Sequence, residues 1–441
     1  MTNSSFGSKA KAQLIDRILG KKMLSGGAAG APLHALAEKQ RSIPEAFTRF
    51  DRHPGYEKMI VPRAAANRLG IPNPFFKVHG AVAGATTIID GREYINFANY
   101  NYLGLAGHPA VNEAAKDAID RYGTSASASR LVAGERPVQR ELEEALANLY
   151  EVDDCIVFVS GHATNVSTIG YLFGPKDLVI HDSLIHNSVL EGIRLAGAAR
   201  RSFTHNDHKA LDNILSEIRY QFERVLIVVE GLYSMDGDIP DLPALIEIKR
   251  RHKAFLMVDE AHSLGVLGDT GRGVREHFRV AGKDVDIWMG TLSKALAGCG
   301  GYIAWEKALV EHLKYAAPGF VYSVGLAPPL AAASLEALRI MQKEPERVAR
   351  LRERSQWFLQ QARGAAVDTG YSQGYSVIAA ITASSLKAVK LSNQLFERGI
   401  NVQPIIYPAV EENAARLRFF MSSLHTIEHL QATVAALREL A

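Results

Sequence analysis

Three side chains set the chemical question. Asp259 and His262 stand in "VDEAHSLGVLGDTGRGV", and Lys294 lies in "GTLSKALAGCGG". An acid, an imidazole and an amine, each following a short apolar run, suit a site built at the tips of buried strands. Other runs end in the same way. "CIVFVS" is followed by Gly161-His162-Ala163-Thr164-Asn165, which opens a helix, and "DLVIHD" by Ser183 to His186. "RVLIVVEG" leads to Leu232–Gly237, with Ser234 inside, and "VDIWMG" to Thr291, Ser293 and Lys294. Backbone N–H groups at a helix start can hold a phosphate against the helix dipole. A lysine and an acid at neighbouring tips, beside such a cradle, meet the needs of pyridoxal 5'-phosphate. Its aldehyde takes a lysine as a Schiff base, and its pyridine nitrogen stays protonated beside a carboxylate.

The elements that would position these groups fall in three zones. Residues 1–95 read as an N-terminal extension and a small segment. Helical pieces in "AKAQLIDRIL" and "PLHALAEKQ" come first, then two short strands around Asp90-Gly91. Residues 96–345 alternate strands with amphipathic helices. The strands are short, continuously apolar and rich in Val and Ile, which fits burial on both faces of a mostly parallel sheet. The expected class is therefore an open α/β sheet, which binds ligands beyond the carboxyl ends of its strands. Residues 346–441 read as a smaller α+β C-terminal domain, with strands in "YSVIAAITA", "NVQPIIYP" and "ARLRFFMSS".

Composition narrows the function classes. With 47% hydrophobic and 22% charged residues, the 441-residue chain is globular for most of its length. A formal charge of +3 leaves no footprint for nucleic acid or an anionic membrane. No apolar run approaches the ~20 residues of a membrane span, and the N-terminus lacks signal-peptide character. Two cysteines, Cys155 and Cys299, are too few for a disulfide framework, so a cytoplasmic setting is expected. The "HNDHK" stretch, His205 to Lys209, reads as a solvated loop, and no metal is expected.

Taken together, "VDEAHSLGVLGDTGRG", "GTLSKALAGCGGYIA", "SGHATN", "DSLIHNSVLEG", "EGLYSMDGD" and "NYNYLGL" resemble the α-oxoamine synthase family, from about Phe97 to the C-terminus. The resemblance implies fold type I of the pyridoxal-phosphate transferases (aspartate aminotransferase-like). It also implies a homodimer with active sites at the subunit interface, and condensation of glycine, alanine or serine with an acyl thioester on CoA or a carrier protein. Carried over by position, Lys294 would hold the cofactor aldehyde and Asp259 would pair with the pyridinium nitrogen. His262 and Ser234 would contact the phenolic oxygen, and His186 would stack on the ring and direct protons at the α-carbon. Gly161, His162 and Thr291 would hold the phosphate, and Ser323 would reach the partner subunit's phosphate. Asn101 and Arg418 would grip the substrate carboxylate. Arg416 lies on the same face of its strand as Arg418, so spacing does not separate the two. The chain departs from the family at "GTSASASR", Gly123 to Arg130, and at Gln139, where a histidine is common. The alternatives are transamination or retro-aldol cleavage on the same fold, or a non-catalytic partner subunit. A nicotinamide site is disfavoured by the lack of G-x-G-x-x-G after an early strand.

Overall fold

The computed structural model describes residues 43–440; the expected helices in "AKAQLIDRIL" and "PLHALAEKQ" lie outside them. The chain divides into two compact units between Asn73 and Pro74, whereas the sequence zones placed boundaries near 95 and 345. Strand pairing accounts for the difference. Ile400 and Asn401, from the last zone, pair in parallel with Ile95 and Asn96, at the join of the first two.

The larger unit begins with a hairpin of β1 (Thr86–Ile89) and β2 (Arg92–Asn96). Its two-residue turn places Asp90 and Gly91 at φ 50° and 76°, the left-handed conformation that Asp-Gly tolerates and that matches strand twist.

Seven strands then build the main sheet: β3 (Asp154–Phe158), β4 (Leu178–Asp182), β5 (Ala199–Phe203), β6 (Val225–Glu230), β7 (Phe255–Asp259), β8 (Ile287–Thr291) and β9 (Gly301–Trp305). Their order is β3-β9-β8-β7-β6-β4-β5, and β9 alone runs against its neighbours. Every residue of β3, β4, β6 and β8 is buried. Val225, Ile227 and Val229 of β6 join the core on one face, while Leu226 and Val228 join the core on the other. Burial on both faces is why these strands are apolar throughout. The edge strand β5 differs: Arg200, Arg201 and Ser202 are exposed. Charged side chains at a sheet edge discourage pairing with another chain.

A second antiparallel sheet has the order β10-β13-β12, with β10 (Val377–Ile381), β12 (Gln403–Ile405) and β13 (Arg416–Phe420); β11 (Ile400–Asn401) pairs with β2 instead. The expected strand "NVQPIIYP" is thus split between two sheets. Pro404 is accommodated because β12 lies at an edge, where a missing N–H costs no ladder bond. In the main sheet, the shared direction of β3, β4, β6, β7 and β8 brings their carboxyl ends to one rim.

Candidate active site

At that rim, β7 ends at Asp259 and β6 at Glu230, which pair in register. Asp259 is buried, and its carboxylate accepts hydrogen bonds from Ala261 N and from Asn165 Nδ2, both at 3.0 Å. Asn165 lies one turn into the helix Gly161–Leu172, which packs tightly on the helix Asn187–Ala196. A Cβ on Gly192 would fall 2.9 Å from Ile169 Cβ and 3.0 Å from the Asn165 carbonyl oxygen. Glycine there lets the two helices approach closely enough to share a polar network. Asn165 Nδ2 also reaches Ser188 Oγ at 2.9 Å, and Ser188 Oγ lies 2.7 Å from His186 Nδ1. His186 is the N-cap of its helix, with the Ser188 N–H donating to its Nδ1 at 3.3 Å.

Lys294 follows β8 and is half-buried. Removal from water pushes its amine down to about 8, against the pull of Asp259 and Glu230. Its Nζ lies 5.6 Å from the centroid of the Tyr100 ring. Glu230 shows the opposite effect. Burial, with the negative charge of Asp259 beside it, pushes its carboxyl up to about 8. His262 is buried, with Nδ1 2.6 Å from Tyr102 Oη. Burial and the cations Lys294 and Arg418 hold it well below the usual imidazole range.

The helix start at Gly161 abuts Thr291, whose Oγ1 donates to the Gly300 carbonyl at 2.9 Å. A Cβ on Gly161 would come within 2.9 Å of Thr291 Oγ1. His162 is exposed, with its ring 6.5 Å from that of His186. Ser234 is buried; its N–H donates to Glu230 Oε2 at 2.9 Å and its carbonyl accepts from Arg418 Nη1 at 3.0 Å.

The two arginines of β13 part company here. Arg416 Nη1 makes a buried ion pair with Asp236 Oδ1 at 2.6 Å. Arg418 has no carboxylate partner among the described residues, its Nε is buried without an acceptor, and its guanidinium lies 4.5 Å from the Phe420 ring centroid. A planar cation with uncommitted donors beside Lys294 is suited to a carboxylate ligand.

Known proteins resemble this chain in both sequence and fold. Residues 92–437 match the aminotransferase class I and II family. The chain is 40% identical over 350 residues to the 8-amino-7-oxononanoate synthase of Symbiobacterium thermophilum, covering 79% of this chain and 89% of that one. To the same enzyme of Thermoanaerobacter pseudethanolicus it is 36% identical over 354 residues, covering 80% and 89%. A solved Sphingomonas wittichii serine palmitoyltransferase superposes with a TM-score of 0.84 at 29% identity, over 88% of this chain and 97% of that one. A serine palmitoyltransferase from S. paucimobilis with a bound PLP–myriocin aldimine also gives 0.84, at 26% identity with the same coverage.

The chain belongs to the α-oxoamine synthase family. It is a fold type I, pyridoxal-phosphate-dependent acyltransferase. The reaction class is decarboxylative condensation of an amino acid with an acyl thioester. The residues fit the cofactor: Asp259 keeps lone pairs beyond the two bonds it accepts, Lys294 offers an amine of depressed pKa, and a helix N-terminus lies at Gly161.

Several expectations for this α-oxoamine synthase need correction or addition. Asn101 is committed to its own loop. Its Nδ2 donates to the Ala83 carbonyl at 3.0 Å and the Ala106 carbonyl at 3.3 Å, and its Oδ1 accepts from Ala106 N at 3.0 Å. These bonds shape its loop. Ser323 lies in the bend after the helix Pro318–Val321, and no bond of the network above reaches it. His205 is not a solvated loop residue: it is half-buried and bridges Asp182 Oδ1 at 2.9 Å and Asp238 Oδ2 at 2.8 Å. Asn165, Ser188, Glu230, Tyr100 and Tyr102 were not singled out as functional. Asn165 sits inside the quoted "SGHATN" and Ser188 inside "DSLIHNSVLEG", and their position on facing helix starts is the signal that marks them. Gln139, at a position of family departure, holds the Leu326 carbonyl through Nε2 at 2.6 Å. Among the described residues, no helix is long and apolar enough to cross a membrane.

Proposed function

We propose that this enzyme condenses a small amino acid, alanine before glycine or serine, with an acyl thioester to give an α-amino ketone, carbon dioxide and a free thiol. The observation that carries the reading is the juxtaposition of Lys294, Asp259 and the unpaired Arg418 at one sheet rim. The preference for alanine comes from the relatives' name. An 8-amino-7-oxononanoate skeleton contains a two-carbon CH3–CH(NH2) end, which decarboxylated alanine supplies, and a seven-carbon acyl part.

Pyridoxal phosphate, when bound, supplies a protonated ring that takes up the electron pair left at the amino acid's α-carbon. Asp259 would hold the pyridinium nitrogen, and the backbone N–H groups at Gly161 and His162, with Thr291, would hold the phosphate. His262 and Ser234 would contact the phenolic oxygen. Arg418 orients the amino acid through its carboxylate. The Lys294 amine, neutral in a large fraction of molecules near its lowered pKa, removes the α-proton. The α-carbon then bonds to the thioester carbonyl carbon and the thiolate leaves. The substrate carboxylate departs as carbon dioxide, and Lys294 returns its proton to the α-carbon. His186 hydrogen-bonds the thioester carbonyl, where negative charge develops. We also infer a homodimer, with Ser323 contributing to the partner subunit's phosphate site, and a reducing, cytoplasmic setting, which the free thiols of Cys155 and Cys299 support.

A substrate matrix tests the reading. Alanine, glycine and serine are each incubated with CoA and carrier-protein thioesters of several chain lengths, and products are identified by mass spectrometry. An α-amino ketone with stoichiometric carbon dioxide supports it. Amino transfer to a keto acid, with no ketone from any pairing, would sink it. A monomer in light scattering would remove the shared-site proposal.

A further inference from the structure

We infer that Asp259 fixes the tautomer of His186 through Asn165 and Ser188, so that His186 acts as an Nε2–H donor and not as a proton acceptor. The deduction follows hydrogen-bond polarity along the chain. An ionised carboxylate only accepts, so Asn165 must present its amide nitrogen to Asp259 Oδ2, 3.0 Å away. That choice settles the amide orientation, which coordinates alone leave open. The second N–H of the same nitrogen faces Ser188 Oγ at 2.9 Å. Ser188 Oγ therefore receives one hydrogen and still has its own to place, and a backbone N–H that already donates to His186 Nδ1 marks that nitrogen as bare. His186 Nδ1, at 2.7 Å, accepts the hydroxyl hydrogen. The backbone donor, the Ser188 N–H, addresses the same Nδ1 at 3.3 Å. Both require a bare Nδ1 lone pair, and a neutral imidazole with a bare Nδ1 carries its proton on Nε2.

Burial makes the arrangement firm. Ser188 and Asn165 are 0% and 1% exposed, so water does not offer alternative partners. Both N–H groups of Asn165 Nδ2 are used, toward Asp259 and Ser188, while its Oδ1 is buried without a partner, so the polarity of the chain rests on the donor side of the amide. The consequence is a division of labour. With Nδ1 occupied and Nε2 protonated, His186 has no free lone pair for the α-proton, and Lys294 takes that task alone. His186 is left to polarise an oxygen. Ser188 and Asn165 are positioning residues, since they act through His186 and Asp259.

The test reads the tautomer directly, with the holoenzyme labelled with ¹⁵N only in its 15 histidines. Long-range ¹H–¹⁵N spectra at neutral pH distinguish bare from protonated ring nitrogens, and His186→Gln assigns the signal. The expected result is a bare Nδ1 and a protonated Nε2. A protonated Nδ1 overturns the inference, and this arm needs no variant to fold. Ser188→Ala should let the Nδ1–H tautomer appear, because only the long backbone bond remains. It should lower kcat about tenfold, the scale of one lost hydrogen bond, and leave the KM for the amino acid within about twofold. Ser188→Thr keeps a hydroxyl and should restore both tautomer and kcat. If Ser188→Ala leaves the tautomer unchanged, the backbone alone sets it and the link to Asp259 is wrong. The kinetic arm rests on the condensation reading; the spectroscopic arm does not, so the failure of either idea is visible separately.

Discussion

Truncating either arginine of β13 should separate substrate binding from stability. Arg416 and Arg418 point to the same side of one strand, two residues apart, paired with Ile381 and Ala379 of β10. Their surroundings differ. Arg416 is 7% exposed and Asp236 3% exposed, and Arg416 Nη1 also donates to the Met235 carbonyl at 3.2 Å. Arg416→Met strands the Asp236 carboxylate in a dry site. Breaking a buried pair by removing one partner costs about 3–5 kcal/mol, which urea unfolding of the holoenzyme would read. Arg418 gives up much less on Arg418→Met. Its protein bonds include the Ser234 carbonyl and the Met235 sulfur, with the Tyr100 side chain also in bonding reach, and no paired protein carboxylate is left behind. The loss falls instead on the substrate carboxylate. Hydrogen bonds to a charged group contribute about 1.5–3 kcal/mol each. Allowing for partial solvation, two together should contribute about 3 kcal/mol, which is roughly 100-fold in the KM for the amino acid. Steady-state kinetics with saturating thioester measures it. The reasoning fails if Arg416→Met raises KM at unchanged stability while Arg418→Met unfolds the protein.

Three further outcomes are expected. In cofactor-free protein, the rate of pyridoxal-phosphate capture, followed by absorbance, should rise with pH through about 8 as Lys294 loses its proton; Lys294→Ala should abolish both the colour and turnover. The second concerns His205. Burial opposes its charge, but bonding to Asp182 and Asp238 outweighs that and raises its pKa to about 10. Because the folded value lies above the unfolded one, the stabilisation is full below about 6.5 and is lost as pH rises through about 10. Urea unfolding across that interval should show the decline, and His205→Gln should flatten it. Third, Gly192→Val should push apart the helices bearing Asn165 and His186, destabilising the fold by about 1–3 kcal/mol, and a thermal melt matching the parent would refute the packing argument.

What the sequence disclosed follows from the physics of burial. Strands covered on both faces are apolar without interruption, so β3, β4, β6, β7, β8 and β9 stand out as runs, and the polar residues after them mark the rim. β5 escaped because an edge strand exposes Arg200, Arg201 and Ser202 and so reads as loop. Ser188 and Asn165 escaped for another reason: a buried serine or asparagine has no signature until the helix that faces it is known. Strand alternation treats Arg416 and Arg418 alike, so the choice of Arg418 rested on the family resemblance alone. The placement of Asp236, some 180 residues away in the chain, gives the physical distinction. His205 was misread since its two aspartates come from the end of β4 and from the loop after β6, and a local string of polar residues carries no trace of them.

The reversed direction of β9 bears on how Lys294, the proposed cofactor tether, is mounted. Had β9 run with its neighbours, the chain leaving β8 would have crossed a face of the sheet through a long helical connection. It doubles straight back instead, through residues 292–300, and is stitched shut by Leu292 N to the Gly300 carbonyl at 3.0 Å and Gly298 N to the Leu292 carbonyl at 2.8 Å. The Lys294 backbone is thereby moored from both ends to adjacent rods of the same sheet, and its four-carbon arm extends from that anchored base. Such a mount behaves like a crane on a fixed base: in the proposed reaction the nitrogen would swing between tether and proton carrier without the scaffold having to follow.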